Sequence, residues 1–175
     1  MTSEITVNRK QALLKPGLTI AAILLLAIVG STLLKAGDSG VELAPFSITT
    51  DGGEISSESL KGKLVYVDFW ASWCAPCRES FPWMNEMQAK YADQGFKVIA
   101  VTLDKERKFS DQFLAEVPAD FTIGYDPEGL LADQFKVIGM PMAYMIDRRG
   151  KLVGTHVGFR KSKREEFESA IKEHL

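Results

Sequence analysis

Cys74 and Cys77 are the only cysteines of the chain, and C-x-x-C spacing puts two thiols within one turn of a helix. Such a pair closes and opens a disulfide with little backbone movement. The chemistry within its reach is thiol–disulfide exchange, which needs a thiolate, an accessible sulfur and a second thiol to resolve the mixed disulfide. Two cysteines cannot build a multi-bridge scaffold, so the fold rests on its core. The spacing is also half of a metal site. A structural zinc takes four ligands, and the two histidines, His156 and His174, stand far apart in unrelated contexts. Haem attachment needs a histidine after the second cysteine, where Arg78 stands. Copper(I) held by Cys74, Cys77 and Met142 or His156 is the soft-ligand alternative.

The elements around the pair follow from pattern. The apolar, β-branched run Leu64-Val65-Tyr66-Val67 predicts a central strand over Leu64–Phe69, interrupted only by the charge of Asp68. Ala75–Tyr91 reads as a helix with Phe81, Met84, Met87, Gln88 and Tyr91 facing inward. Cys74 then sits at the helix N-terminus, where N–H groups and the macrodipole favour a thiolate. They lower a cysteine pKa from about 8.5 into the range of roughly 3.5–7.5. Cys74 is the candidate nucleophile and Cys77, shielded by the first turn, the candidate resolving thiol. Ala75 and Pro76 open the helix, the proline without wasting a donor. Asp68 in a central strand is costly to bury, so its pKa rises, and it can accept and return the Cys77 proton. The plainer reading is a strand-end acid bonded to backbone or water.

Further along, Phe46–Thr49 and Glu54-Ile55 flank the turn Asp51-Gly52-Gly53 as a β-hairpin. Phe96–Leu103 is a buried strand ending at Asp104, and Arg107–Val117 a helix stopped by Pro118. Phe121–Gly124 is a short strand, and Asp126-Pro127-Glu128 reads as a helix start with Asp126 as N-cap. Met142–Ile146 and Leu152–Val157 form a last hairpin, and Ser162-x-x-Glu165 a capping box before the final helix. Strand–helix alternation ending in a hairpin predicts an α/β domain with a mixed central sheet flanked by helices. His156 and the Lys161–Arg164 cluster read as solvated surface, and Met145 as packing.

The composition is that of an ordinary globular protein, and a net charge of −2 offers no electrostatic case for nucleic acid. The N-terminal part is different. Leu18–Leu34 carries no charge and is just long enough to span a bilayer, which takes roughly 17–25 residues. Lys35 sits where a signal peptide would place its small-x-small cleavage site, which favours a retained anchor over cleavage. Arg9, Lys10 and Lys15 precede the run, which places residues 1–17 in the cytoplasm by the positive-inside rule. Residues 35–40 form a short linker, and 41–175 the catalytic domain outside the membrane.

Taken together, Trp73-Cys74-Ala75-Pro76-Cys77, Asp68 six residues before Cys74, Pro82 eight after it, and Gly139-Met140-Pro141 ahead of a strand resemble the thioredoxin superfamily. The resemblance covers roughly 41–175 and implies a thioredoxin-like fold in which a cis-Pro141 loop faces the disulfide. It also implies that Trp73, Met140 and Pro141 bind substrate, Met140 through its backbone as a short added strand and Trp73 and Met142 as apolar surface. The leading hairpin, the strand–helix insertion around 118–135 and the N-terminal run are similar to the membrane-anchored TlpA-like branch. That branch implies a single-pass protein of the bacterial inner membrane whose catalytic domain in the periplasm reduces disulfides of exported proteins, apocytochrome c among them. Its electrons come from a membrane donor of the thiol–disulfide type, with no cofactor or metal beyond the cysteine pair. An oxidant or isomerase of the same fold is the alternative. Ala75-Pro76 differs from the Gly-Pro of thioredoxins, and many TlpA-like proteins are expected to carry an amide in place of Asp68. Both differences bear on redox potential rather than on fold.

Overall fold

A computed structural model of the chain describes residues 40–175. The expected anchor at 18–34 and the tail before it lie outside those residues, and no described helix is long and apolar enough to cross a membrane.

The central strand forms because nearly every residue in it is apolar. β4 (Leu64–Trp70) is buried along its whole length, and its side chains alternate between two faces. Tyr66 and Trp70 enter one core with Phe81, Met84, Phe113, Phe167 and Ile171. Val65, Val67 and Phe69 enter the other with Ile99, Leu131, Phe135 and Tyr144. Asp68 shares the Tyr66 and Trp70 face, and so lies in the layer that holds the cysteines.

The remaining strands are β1 (Val41–Glu42), β2 (Ser47–Thr50), β3 (Gly53–Ser56), β5 (Phe96–Thr102), β6 (Thr122–Tyr125), β7 (Met142–Ile146) and β8 (Lys151–Val157). They make one sheet in the order β1-β8-β7-β4-β5-β6-β2-β3. β4, β5 and β6 run parallel, whereas β7 pairs antiparallel with β4 and β8 with β7. The sheet is therefore mixed. The leading hairpin joins it beside β6, where Gly124 lets β2 approach. A Cβ there would stand 2.5 Å from Ile48.

The helices are α1 (Ala75–Tyr91), α2 (Arg107–Glu116), α3 (Leu130–Phe135) and α4 (Arg164–His174). α1 spans the crossover between parallel β4 and β5 and carries Pro82 in its interior, where a proline removes one backbone hydrogen bond. Two helix starts differ from expectation. Pro127 and Glu128 lie in a turn closed by Gly129 N–H on the Asp126 carbonyl (3.0 Å), and α3 starts only at Leu130. Asp126 still reaches the helix, its carboxylate accepting from Ala132 N–H at 2.8 Å. The capping box does not form, because the chain enters α4 through a 3-10 turn over Lys161–Lys163. Ser162 is thus inside that turn, and Lys163, at the cap, pairs with Glu166 instead.

Candidate active site

The cysteine pair stands where β4 hands over to α1. Cys74 is the N-cap, in extended backbone, and its N–H donates to the Ala71 carbonyl at 3.0 Å. Pro76 occupies the first turn, and Cys77 N–H donates to the Cys74 carbonyl at 3.1 Å. The two sulfurs form a disulfide of 1.97 Å with Cα atoms 5.3 Å apart. Cys74 keeps 4% of its surface open and Cys77 none. Only one sulfur is within reach of an outside disulfide. No acid lies in the first turn of α1, so the positive helix end next to Cys74 is not neutralised locally. Once reduced, that sulfur stands at a helix start whose N–H groups and dipole favour negative charge. Trp73, immediately before it, is 74% exposed.

Asp68 lies on the α1 side of the sheet without compensation. Its cross-strand neighbours are Ala100 and Ala143, neither of which has a polar side chain. Oδ2 has no hydrogen-bond partner among the described residues, nor does Trp70 Nε1 two residues on. Burial alone pushes the Asp68 carboxyl well above the ordinary range of an aspartate. The Tyr66 hydroxyl is raised for the same reason and, secondarily, by the charge of Asp68.

The third component arrives from the far side of the sequence. Pairing of Phe69 with Met142 brings the loop before β7 to the end of β4 that leads to Cys74. The Met140–Pro141 peptide bond in that loop is cis. Pro141 is buried, and its carbonyl accepts from Gly158 N–H at 2.8 Å, tying the loop to β8. Met140 is half-buried and its backbone N–H and C=O have no partner among the described residues. Met142 does not supply surface beside the sulfur. It packs in the opposite core, with its sulfur 3.3 Å from the Tyr144 hydroxyl.

His156 differs from its surface reading too. Phe167 stacks on its ring at 4.4 Å and the Tyr66 hydroxyl lies 3.5 Å from Nδ1. Burial lowers its pKa, with Lys163 adding to the fall and Glu166 opposing it. Ala143 is its partner in register and Met142 pairs with Val157, so His156 and Met142 point to opposite sheet faces. Met142 therefore lies on the face away from the cysteines, and no described cluster of three or more His, Cys, Asp or Glu is placed to hold a metal ion. Lys161 and Lys163 are exposed and Arg164 half-buried, and they pair with Glu79, Glu166 and Glu86 respectively.

One residue of the site escaped the sequence reading. Asp104, nearly buried just past β5, clamps the loop that leads to Cys74. Its carboxylate accepts from Ser72 N–H and Ser72 Oγ, both at 2.9 Å, and from Thr102 Oγ at 3.0 Å. An acid at a strand end was visible, but only strand pairing between β4 and β5 brings it under Ser72. Asp104→Ala is expected to destabilise the oxidised protein by about 1–3 kcal/mol in urea denaturation, because buried donors lose a charged acceptor. Asp104→Asn, which keeps one acceptor oxygen, should lose less.

The geometry has relatives. The Redoxin family matches residues 35–171. The thiol-disulfide oxidoreductase ResA of Bacillus cereus is 30% identical over 164 residues, covering 89% of this chain and 91% of that protein. The thioredoxin-like protein YneN of Bacillus subtilis is 36% identical over 153 residues, 79% of this chain and 89% of that one. Among solved structures, a Chlorobium tepidum protein assigned as thiol:disulfide interchange protein DsbE aligns with a TM-score of 0.74. It is 46% identical, over 78% of this chain and 97% of that one. A thioredoxin-like sheet, a helix-capping cysteine pair and these similarities agree: the chain belongs to the Redoxin family and is a ResA-like thiol–disulfide oxidoreductase of the thioredoxin superfamily.

Proposed function

We propose that the protein is a membrane-anchored reductase that removes disulfides from exported proteins outside the cytoplasmic membrane, with apocytochrome c as one such substrate. The observation that carries this reading is the unequal exposure of the two sulfurs at the start of α1. Reduced Cys74, as thiolate, attacks one sulfur of a substrate disulfide, whose S–S bond breaks as the mixed disulfide forms. The leaving substrate thiolate takes a proton. The Asp68 carboxylate then takes the Cys77 proton, Cys77 attacks the Cys74 sulfur to close Cys74–Cys77, and the second substrate thiolate, released as the mixed disulfide breaks, takes that proton from Asp68. Two electrons have moved to the substrate. A dithiol donor in the membrane restores the pair by the same exchange in reverse.

Ala75 and Pro76 hold the helix end open, and Trp73, Met140 and Pro141 receive the substrate chain. The uncharged run Leu18–Leu34 supplies the anchor, with residues 1–17 inside, 35–40 as linker and 41–175 as the catalytic domain in the periplasm. The similarity to ResA and DsbE proteins supports thiol–disulfide exchange. Equilibrating the pair against defined thiol buffers tests it. A potential near or below about −270 mV is expected, and one near about −120 mV would make the protein an oxidant.

A further inference from the structure

Asp68 is 2% exposed, and burial favours its protonated form. A base accepts a proton only after shedding the one it holds, so this acid needs a path to solvent. The β5 side offers none. Beside Tyr66, Asp68 and Trp70 it carries Val98, Ala100 and Thr102, and none of the three titrates. The β7 side differs. Asp68 pairs with Ala143 and Ala143 with His156, so acid and imidazole share one sheet face, two strands or roughly 10 Å apart. Only a methyl group stands between them in that row.

Tyr66 crosses the gap. It precedes Asp68 by two residues on the same face, and the β8 residue in line with it, through Met145, is Gly154. With no side chain there, the phenol reaches β8, and its hydroxyl lies 3.5 Å from His156 Nδ1. The charge of Asp68 acts on that hydroxyl. His156 in turn lines a cavity of about 310 Å³ with Thr155, Gly158, Arg160, Lys163 and Glu166. Of these, Thr155, Arg160, Lys163 and Glu166 are exposed.

We infer that Tyr66 and His156 form the proton outlet of Asp68, with His156 acting through that acid rather than on the cysteines. The inference rests on the proposed role of Asp68 in resolving the mixed disulfide. The carboxyl proton passes to the Tyr66 oxygen as the Tyr66 proton passes to His156 Nδ1, and His156 releases its Nε2 proton to the cavity. Only O–H and N–H bonds change, and no electrons are transferred. Among the described residues, the charged and titratable groups around His156 are Tyr66 and, across Ala143, Asp68 from β4, Arg160 and Lys163 from the turn before α4, and Glu166 from α4. Lys163 and Glu166 pair with each other. Burial holds the imidazole below its ordinary pKa, so at neutral pH the ring is uncharged and Nδ1 can accept.

The test follows single turnovers of the reduced full chain on a synthetic peptide disulfide at neutral pH, resolving release of the first peptide thiol from release of the second. His156→Ala and Tyr66→Phe are each expected to slow the second release about tenfold. That is less than for loss of Asp68 itself, because buried acids also exchange protons through local opening. His156→Phe, which keeps a ring to stack on Phe167, should match them. Imidazole added to His156→Ala should restore the rate, and should not rescue Tyr66→Phe. On an Asp68→Asn background none of these changes should slow resolution further, since all act through the one acid. A full additional loss on that background, or no rescue by imidazole, would make His156 a packing residue and overturn the outlet. Unchanged second release in His156→Phe would overturn it as well, and both outcomes leave the role of Asp68 standing. Asp68→Asn resolving at the parent's rate would overturn that role, and the outlet with it.

Discussion

Cys77→Ser is expected to lower steady-state disulfide reduction by about three orders of magnitude or more while sparing the first chemical step. The variant keeps Cys74, the more open of the two cysteines, at the α1 N-terminus, so attack on a substrate disulfide still proceeds. It lacks the second thiol, and the mixed disulfide has no internal route to resolution. Mass spectrometry should then find one substrate equivalent bound to Cys74. Cys74→Ser should give no adduct, because the Cys77 sulfur has no exposed surface. An adduct on Cys77 in that second variant would reverse the assigned roles.

Asp68→Asn is expected to act in opposite directions on activity and stability. Resolution of the mixed disulfide at neutral pH should slow by about a hundredfold, the lower range for losing a positioned proton acceptor. Stability should rise. The folded pKa of Asp68 lies well above the ordinary 3.8, through burial, so the folded state binds a proton that the unfolded chain has already released. Stability of the parent therefore falls as pH climbs from about 3.8 toward the folded pKa. Each tenfold change in proton affinity is worth about 1.4 kcal/mol. Asparagine has no such slope. Urea denaturation of the oxidised proteins should show the variant gaining on the parent between pH 4 and pH 8. An unchanged difference across that interval would mean that burial does not raise the Asp68 pKa in the folded protein.

Much of the fold was legible because its signals are local. The apolar runs at Leu64–Trp70 and Phe96–Thr102 and the hairpin turn at Asp51–Gly53 each carry their own local signal. The errors arose where local rules compete with tertiary contacts. Asp126 looked like an adjacent N-cap, yet its carboxylate serves Ala132 six residues on, after an intervening turn. Ser162 and Glu165 had capping-box spacing, but a 3-10 turn took Ser162 into its interior. His156 is polar and sits on a strand whose exposure alternates, but Phe167 from α4 covers its ring. Nothing in the strand itself announces that cover.

The sequence alone determined that two thiols meet at a strand-to-helix junction, because residues three apart on one turn need no distant partner to approach each other. It also set the cost of Asp68, since a carboxylate inside an apolar strand is desolvated in any fold that buries that strand. The tertiary structure decided which sulfur faces outward. It also set Ala100 and Ala143 beside Asp68, Asp104 under Ser72, and the Met140–Pro141 loop at the end of β4. Those placements join segments some thirty to seventy residues apart, and they depend on strand order and register. A shift of one residue in register turns every side chain to the opposite face, which no local pattern at the cysteines can specify.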